Sequence, residues 1–476
     1  MLRSEVQSLE CPAIALLALR DMYNDPDARF KSEEQAEAVQ MALQGENDLL
    51  VILPTGGGKS LAFQLPAWIE KGQTTVVIIP FVALIEEMEG RCKDLGLSCH
   101  IWRKSDALTG PPNTQILLVA VEHAVSPDFQ QFLVQSESAE MLARVVLDEC
   151  HVVLMHRDFR GVLRRLASVI RCVSVQLISL TATLPIEMEE RLKIILGCER
   201  WKVIRNESER PEIKYKVEIL AEARSIRDLN REVGKLLRSK LPEFEDDDRA
   251  IVYCLQREWA EDLAKYLNEK FSEEVCMAYH AKMDISERRE AYTRWKEGDI
   301  VALIATSALG AGIDHPSVRL VIHHGHANSM IDFCQETGRA GRDGNSAECV
   351  TLFWPEIIQF TDWIKREDRD SVLQWIEGTG CRRAAIGRYL NGIGQRCLSM
   401  ARGELCDRCE KVLGSTEMRS INRRKENTGR GMDLAEKEMR EATDIKEMIR
   451  ELRGHCTLCW VHKRKGFDSH QLEKCK

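Results

Sequence analysis

The chain has 476 residues, of which 44% are hydrophobic and 30% charged, and its formal net charge at pH 7 is −8. A chain of this length is expected to form about two to four globular domains. No apolar run is long enough to span a membrane, and the N-terminus lacks the basic start and cleavage site of a signal peptide, so we expect neither feature. The negative charge argues against a protein that coats nucleic acid, but not against one with a local binding channel.

Apolar, β-rich runs alternate with amphipathic helical stretches over residues 30–355. A charged break near residues 205–215 separates two series of such runs. Two series of buried strands with helical crossovers predict two tandem α/β domains, each built on a parallel sheet. The predicted strands are residues 49–53, 74–80, 115–121, 144–149 and 175–182, followed by 250–255, 275–280, 301–306, 318–325 and 348–354.

The regions outside these two series have different patterns. A helical stretch that ends in clustered cysteines follows the second series. The last segment, residues 415–476, is highly charged, with 15 basic and 11 acidic residues. The predicted domains are an N-terminal helical lead-in (1–28), the first α/β domain (29–208), the second α/β domain (209–356), a helical cysteine-containing module (357–413) and a charged tail (414–476).

A glycine-rich turn, residues 54–60, follows the first predicted strand and opens a helix. Glycines let backbone amides wrap a phosphate, and the helix N-terminus adds partial positive charge. Lys59 is therefore expected to reach the β- and γ-phosphates of ATP, and Ser60 to hold Mg²⁺. The alternative, a glycine-rich turn with an incidental lysine, leaves the strand–loop–helix setting unexplained. The residues of this turn predicted to bind the nucleotide are Thr55, Gly56, Gly57, Gly58, Lys59 and Ser60.

Two adjacent carboxylates, Asp148 and Glu149, end the fourth predicted strand. The carboxyl ends of parallel strands are where α/β sheets bind ligands. We expect Asp148 to hold Mg²⁺, and Glu149 to orient and activate the water that attacks ATP. A solvated acidic pair is the alternative, but the upstream phosphate-binding turn favours the catalytic interpretation.

Five motifs together resemble the RecQ family of superfamily 2 helicases. They are PTGGGKS (54–60), DECH (148–151), SLTAT (179–183), ATSALGAGID (305–314) and QETGRAGRDG (335–344). The resemblance covers most of the chain, and DECHV with the segment IIPFVALIEEM is especially similar to fungal RecQ-like helicases, including telomere-linked ones. It implies two RecA-like domains and ATP-dependent 3′-to-5′ movement on single-stranded DNA with unwinding of duplex DNA. A nuclear role in DNA repair, recombination or telomere maintenance is also implied.

The last motif supplies two arginines, Arg339 and Arg342, in the second α/β domain. Arginine is a planar, permanently charged donor, suited to insertion against a γ-phosphate from a facing domain. The two would share one face if the segment were helical. An ordinary surface helix is the alternative, but it does not explain the glycines. Gln335 of the same motif is expected to contact the nucleotide.

The segment Phe30–Gln35 resembles the adenine-reading motif of the same family. The Gln35 amide can both donate to and accept from the adenine edge. Tyr23 or Phe30 would stack on the base, although packing in the core explains Tyr23 equally well.

The expected nucleic-acid contacts lie on loops of both α/β domains. The family's aromatic-rich loop corresponds to residues 151–160, where it is shorter and lacks the usual tryptophan. Phe159 and Arg160 remain and would stack on bases, with core packing as the alternative for Phe159. The other candidate contacts are Arg103, His280, Thr306 and Ser307.

Two cysteine clusters have the residue types of zinc sites. Cys381, Cys397, Cys406 and Cys409 resemble the zinc subdomain of the RecQ family, and four thiolates would make a structural rather than a catalytic site. A second set near the C-terminus resembles a zinc knuckle, but a disordered tail with incidental cysteines explains it nearly as well. That set is Cys456, Cys459, His470 and Cys475, with His455 or His462 as substitutes.

Three other functions remain as alternatives. An RNA helicase would share most of the motifs, although the cysteine module argues against it. A degenerate or truncated helicase-like protein that only binds nucleic acid would not need intact Lys59, Asp148, Glu149, Arg339 and Arg342. A metabolic P-loop kinase would not need the second α/β domain.

Overall fold

The computed structural model describes residues 11–106, 110–155, 160–198, 201–206, 210–307, 315–361, 368–400 and 402–414. One compact unit extends to Cys409, and a second begins at Glu410. The predicted tail beyond residue 414, with the second cysteine cluster, lies outside the described residues. Of the helices that are described, none is long and apolar enough to cross a membrane.

The first α/β domain is built on a seven-stranded sheet in the order β3-β4-β2-β5-β6-β1-β7, with every neighbouring pair parallel. The central strands are almost fully buried because helices cover both faces, which is why they contain continuous apolar runs. The strands are β1 (Asp48–Ile52), β2 (Thr74–Ile79), β3 (Cys99–Ile101), β4 (Ile116–Ala120), β5 (Leu142–Leu147), β6 (Gln176–Thr181) and β7 (Trp201–Arg205).

Nine described helices accompany this sheet. The second of them shows clear local signals: Ser32 caps its N-terminus by accepting from the Gln35 amide, and Gly45 ends it in the left-handed conformation. The helices are α1 (Cys11–Tyr23), α2 (Glu33–Gln44), α3 (Leu61–Ile69), α4 (Val82–Asp94), α5 (Val121–Ala124), α6 (Pro127–Ser138), α7 (Val152–Met155), α8 (Arg160–Ile170) and α9 (Ile186–Leu196).

The second α/β domain has a six-stranded parallel sheet in the order β10-β11-β9-β12-β13-β8. Its strands are β8 (Ile213–Ile219), β9 (Arg249–Cys254), β10 (Cys276–Tyr279), β11 (Ala302–Ala305), β12 (Val318–His324) and β13 (Ala347–Phe353). Its described helices are α10 (Ile226–Lys240), α11 (Arg257–Phe271), α12 (Ile285–Glu297) and α13 (Met330–Thr337), with a 3₁₀ turn at Leu241–Glu243.

A helical module follows the second sheet and contacts both domains. Its helix α16 is bonded to the first domain, where Arg205 Nη1 donates to the Leu390 carbonyl and to Asn391 Oδ1, both at 3.1 Å. On the second domain, Arg383 Nη2 donates to the Ile213 carbonyl at 2.7 Å. The elements of the module are α14 (Ile357–Phe360), α15 (Arg369–Glu377), α16 (Arg382–Asn391), a 3₁₀ turn (Cys397–Ser399) and a helix at residues 407–414.

All ten predicted strands form, and the two parallel sheets are confirmed. Three further strands were not predicted. β3 has only three residues, and β7 and β8 are edge strands in which polar residues interrupt the apolar pattern. β7 ends where the predicted break begins, at Arg205, and β8 begins inside the break, at Ile213. The domain boundaries stay predictions.

Candidate active site and cysteine cluster

The glycine-rich turn between β1 and α3 forms one wall of a cleft of about 280 Å³ that residues of both α/β domains line. Gly58 has a φ of 74°, and a Cβ there would lie 2.2 Å from Gln35 Nε2, so glycine is required at this position. The Gly57 amide closes the turn by donating to the Pro54 carbonyl at 2.8 Å. The turn residues that line the cleft are Thr55, Gly56, Gly58, Lys59 and Ser60.

The two predicted carboxylates face this turn from the end of β5. The Asp148 amide donates to the Ile78 carbonyl at 3.0 Å, which continues the sheet, and Glu149 then leaves it with a φ of 45°. Burial, followed by the charge of Glu149, raises the pKa of Asp148 to about 6. Burial alone would raise the pKa of Glu149 as well, but a hydrogen bond and charge from His151, with further charge from Lys59, lower it below its usual value.

A histidine that was not predicted as a site residue connects the two domains. His151 Nδ1 lies 2.9 Å from Thr181 Oγ1 and 3.3 Å from Glu149 Oε2. Its Nε2 lies 2.8 Å from Nε2 of Gln335, which belongs to the second domain and also lines the cleft. One imidazole therefore contacts the acidic pair, the SLTAT strand and the QETGRAGRDG segment. Each residue belongs to a recognised motif, but nothing in their spacing predicts this junction.

The two arginines reach the cleft from turns that follow α13. That helix ends at Thr337, so the condition for a shared helical face of Arg339 and Arg342 is not met. Gly341 explains why: its φ is 59°, and a Cβ there would lie 2.8 Å from the Asn345 carbonyl oxygen. The turn nevertheless directs both arginines to the cleft, as the motif predicts.

The predicted adenine-reading residues have mixed positions. Gln35 is 3% exposed, and its amide is bonded to backbone: Oε1 accepts from the Lys31 amide at 2.6 Å and Nε2 donates to the Gly58 carbonyl at 3.1 Å. Its contact with adenine stays a prediction. Tyr23 is 48% exposed, so core packing does not explain it, whereas Phe30 packs against the cluster between α1, α2 and α3.

Sequence patterns missed two groups of cleft residues. Lys31 lines the cleft, and its Nζ donates to the Gly56 carbonyl at 2.9 Å. One face of α4 also lines the cleft, at positions spaced three and four residues apart. That spacing indicates an amphipathic helix, but it does not indicate which surface the helix faces. The α4 residues are Leu84, Glu87, Met88 and Arg91.

The predicted nucleic-acid contacts are only partly described. Thr306 and Ser307 follow β11 at its carboxyl end, and Arg103 is exposed. His280 is 5% exposed and its Nε2 is 2.8 Å from Glu261 Oε1, so its burial contradicts a phosphate contact. Phe159, the side chain of Arg160 and residues 308–314 lie outside the described part of the chain.

Four cysteine thiols of the helical module converge, with all four sulfur atoms within 4.8 Å of one another. The Sγ atom of Cys381 lies 3.5 Å from that of Cys397 and 3.9 Å from that of Cys406. A tetrahedral zinc with Zn–S bonds of about 2.3 Å places its sulfurs about 3.8 Å apart, so the donor set fits this metal. Cys397 joins the set despite its long spacing from Cys406, because the 3₁₀ turn brings it back beside Cys381.

Comparisons with known proteins agree with the motifs. A DEAD/DEAH box helicase model matches residues 32–192, and a helicase conserved C-terminal domain model matches residues 230–344. Among solved structures, the DUF1998 helicase MrfA bound to DNA is similar in fold, with a TM-score of 0.60 at 16% identity, covering 78% of this chain and 53% of that one.

Two relatives show how far the similarity extends. A putative ATP-dependent DNA helicase Q1 from Caenorhabditis briggsae is 31% identical over 400 residues, covering 79% of this chain and 62% of that protein. ATP-dependent DNA helicase Q-like 2 from Arabidopsis thaliana is 29% identical over 405 residues, again covering 79% of this chain but 54% of that protein. The chain thus spans only part of the length of both relatives. In its motifs, its two sheets and these relatives, the chain is similar to the RecQ family of superfamily 2 helicases.

Proposed function

We propose that the chain is an ATP-dependent DNA helicase that moves 3′ to 5′ on single-stranded DNA and unwinds duplex DNA. The observation that carries this proposal is the composition of the cleft. Lys59, Asp148 and Glu149 enter it from the first domain, and Arg339 and Arg342 enter it from the second. A nucleotide held between two domains can couple its hydrolysis to their relative movement.

Each group in the cleft has a distinct task in phosphoryl transfer. Lys59 binds the β- and γ-phosphates, while Ser60 and Asp148 are the residues that would hold Mg²⁺. The bound cation would neutralise charge on the phosphate oxygens. Glu149 stays ionised and orients the attacking water, and Arg339 with Arg342 stabilises the charge that develops on the transferred group.

The His151 junction offers a route from hydrolysis to domain movement. Gln335 donates to His151, which contacts both Glu149 and Thr181. When the domains separate, this bond breaks and Gln335 no longer holds the His151 ring that contacts Glu149. Hydrolysis would then depend on a closed cleft, which is the requirement for a motor that takes steps.

The choice of DNA rests on the relatives, whose names describe DNA helicases. Arg103, Thr306 and Ser307 are the described candidates for backbone contacts, and Phe159 and Arg160 for base stacking. The residues predicted to bind the nucleotide, Gln35 included, keep that role here. A nuclear role in DNA repair, recombination or telomere maintenance is the finer part of the proposal.

We further propose that Cys381, Cys397, Cys406 and Cys409 hold a structural zinc ion. Four thiolates leave no open coordination position, so this metal would organise the module rather than take part in chemistry. The module is bonded to both domains, and its folding therefore affects how they face each other.

The test is ATP hydrolysis by the purified chain with and without single-stranded DNA, beside Lys59→Ala. Lys71→Ala is the matched control, because Lys71 is an exposed lysine that follows α3 outside the cleft. We expect strong stimulation by DNA in the wild type and in Lys71→Ala, and loss of hydrolysis in Lys59→Ala. Single-stranded RNA of the same length tests the alternative substrate.

Direction is tested with duplexes that carry either a 3′ or a 5′ single-stranded tail. Unwinding of the 3′-tailed duplex alone is the expected result. Hydrolysis that is indifferent to DNA would contradict the proposed motor, and stronger stimulation by RNA would contradict the proposed substrate.

A further inference from the structure

The side chain of Arg210, which lies outside all five motifs, is hydrogen-bonded to the turn that carries Arg339 and Arg342. Arg210 Nη1 donates to the Gly338 carbonyl at 2.8 Å, and its Nη2 donates to the Ala340 carbonyl at 2.5 Å. These carbonyls flank Arg339. A guanidinium is a rigid, planar fork, so two such bonds fix the orientation of the turn as well as its distance.

Arg210 is itself held from two directions. Its Nε pairs with Glu212, and both side chains of this pair are 14% exposed. Its backbone carbonyl accepts a hydrogen bond from Nη1 of Arg383, a residue of α16. Arg210 is therefore fixed at its backbone by Arg383 and at its Nε by Glu212, which orients its guanidinium toward the turn.

Arg383 extends this arrangement to the cysteine module. Its Nη2 donates to the Ile213 carbonyl at 2.7 Å and to the Glu404 carbonyl at 2.9 Å, and its guanidinium carbon lies 5.5 Å from the centre of the Tyr215 ring. The preceding residue, Arg382, donates its amide to Cys406 Sγ at 3.4 Å. A continuous series of bonds thus links the cysteine cluster to the arginine-bearing turn.

We propose that Arg210 is a positioning residue that holds Arg339 in place for ATP hydrolysis. We call its two bonds to the Gly338 and Ala340 carbonyls the Arg210 clasp, and Arg383 connects this clasp to the cysteine module. This inference rests on the proposed function. Arg210 lies beside the turn rather than in the cleft, and it acts on hydrolysis through Arg339. Misplacement of a catalytic group by about 1 Å can cost on the order of 100-fold in rate.

A purely structural role makes a different prediction, and the chain offers a matched control for it. Arg249 is a buried arginine of the same domain that also donates to backbone carbonyls, those of Trp295 at 2.6 Å and Asp246 at 2.8 Å. None of its described hydrogen bonds reaches residues 338–344. Replacing it should lower stability without changing the chemistry.

The experiment compares Arg210→Lys with Arg249→Lys at a temperature where both are folded. Lysine keeps the charge but cannot form the two-pronged bond. For Arg210→Lys we expect kcat to fall about 10- to 100-fold while KM for ATP changes less than about twofold, because ground-state binding is kept. For Arg249→Lys we expect kcat to equal that of the wild type. Equal kcat in all three proteins would overturn the proposal.

Two further measurements separate positioning from damage. In an Arg339→Ala background, Arg210→Lys should cause no additional loss of kcat, and a full additive loss would contradict action through Arg339. If Arg210→Lys fails to fold, Glu212→Gln is the second variant. It keeps the Arg210 guanidinium and weakens only the ion pair between Arg210 Nε and Glu212. A smaller fall in kcat is expected for that variant, and an unchanged kcat would count against the clasp.

Hydrogen exchange of the amides at residues 339–344, measured without nucleotide, gives a readout that is independent of turnover. Exchange should be faster in Arg210→Lys than in Arg249→Lys. Equal exchange would refute the clasp even in a chain that hydrolyses no ATP. Absence of hydrolysis in the wild type would instead refute the proposed function, so the two failures are distinguishable.

Discussion

The two α/β domains build their halves of the cleft in different ways. In the first domain, Lys59 follows β1, and Asp148 and Glu149 follow β5, so all three groups are placed by the ends of strands in one sheet. In the second domain, Arg339 and Arg342 lie on turns beyond a helix, and hydrogen bonds from Arg210 hold those turns. The first half is fixed by the sheet and by bonds from Lys31 and Gln35 to its turn, and the second by bonds between segments that lie far apart in the sequence.

This difference teaches which half is rigid and which depends on its surroundings. Strand ends in a buried sheet keep their geometry because the whole sheet would have to move with them. A turn held by a few side-chain bonds can shift when any of those bonds is lost. Changes to Lys59 should therefore affect binding of the nucleotide, whereas changes to Arg339 or Arg342, like changes to Glu149, should affect its turnover.

The largest effect expected from this contrast is that of Arg339→Ala. Removing an arginine that stabilises transferred charge should lower kcat by about 1,000-fold, or about 4 kcal/mol, while ATP binding is kept. Lys59→Ala should weaken binding as well. Turnover and the affinity of a fluorescent nucleotide would be measured for both, with exposed Arg257→Ala as control. Loss of nucleotide binding in Arg339→Ala would contradict the expectation that this arginine acts on turnover rather than on binding.

The second largest effect is expected from the loss of a cysteine in the helical module. Cys406→Ser removes a fully buried thiol from the four-sulfur cluster and should release the metal, at a cost of about 3 kcal/mol in the free energy of unfolding. Metal content and thermal unfolding would be measured, with exposed Cys172→Ser as control. Full metal content and unchanged unfolding would argue that these cysteines hold no zinc.

A smaller effect is expected in the first domain, where the affinity for Mg²⁺ should depend on pH. The raised pKa of Asp148, about 6, means that protons compete with Mg²⁺ below that pH. The affinity for Mg²⁺ should therefore fall as the pH drops from 7 to 5, by up to about tenfold (1.4 kcal/mol) for each unit below the pKa. Nucleotide binding with Mg²⁺ would be titrated at each pH, and binding without Mg²⁺ is the control. An affinity for Mg²⁺ that stays constant over this range would contradict the shift.

The smallest predicted effect lies where the two halves meet. Gln335→Ala removes the bond to His151 and should cost about 1 kcal/mol, or about fivefold in kcat. Gln359, an exposed glutamine of α14, provides the control substitution. A double-mutant cycle with His151→Ala measures the coupling. Strictly additive effects would show that the two side chains do not act together.

The same contrast explains what could be predicted from the sequence. Ten of the strands and the glycine-rich turn were predictable because their signals are local: continuous apolar runs, glycines and a lysine at fixed spacing. The four cysteines and the two arginines were found as members of motifs. The residue types in these motifs are typical of metal binding or phosphoryl transfer whatever surrounds them. The composition of the cleft could therefore be predicted one motif at a time.

The remaining parts depend on partners that are distant in sequence. Arg210 lies in the charged break between the two series of strands, and its partners are backbone carbonyls 128 and 130 residues away. Backbone carbonyls carry no sequence signal, so neither this clasp nor the bonds of Arg383 could be predicted. Arg339 and Arg342 do not share a helical face, because α13 ends at Thr337 and Gly341 takes a left-handed conformation.

The contacts of His151 also determine where its proton lies. Because the Gln335 amide nitrogen can only donate, Nε2 of the ring must accept, and a neutral ring then carries its hydrogen on Nδ1, facing Thr181 and Glu149. Opening the cleft takes the Gln335 donor away from Nε2, while Thr181 and Glu149, which belong to the same domain as His151, stay beside Nδ1. The nitrogen-15 chemical shift of Nε2 responds to the loss of that hydrogen bond, so a single labelled imidazole would act as a spectroscopic reporter of whether the cleft is closed.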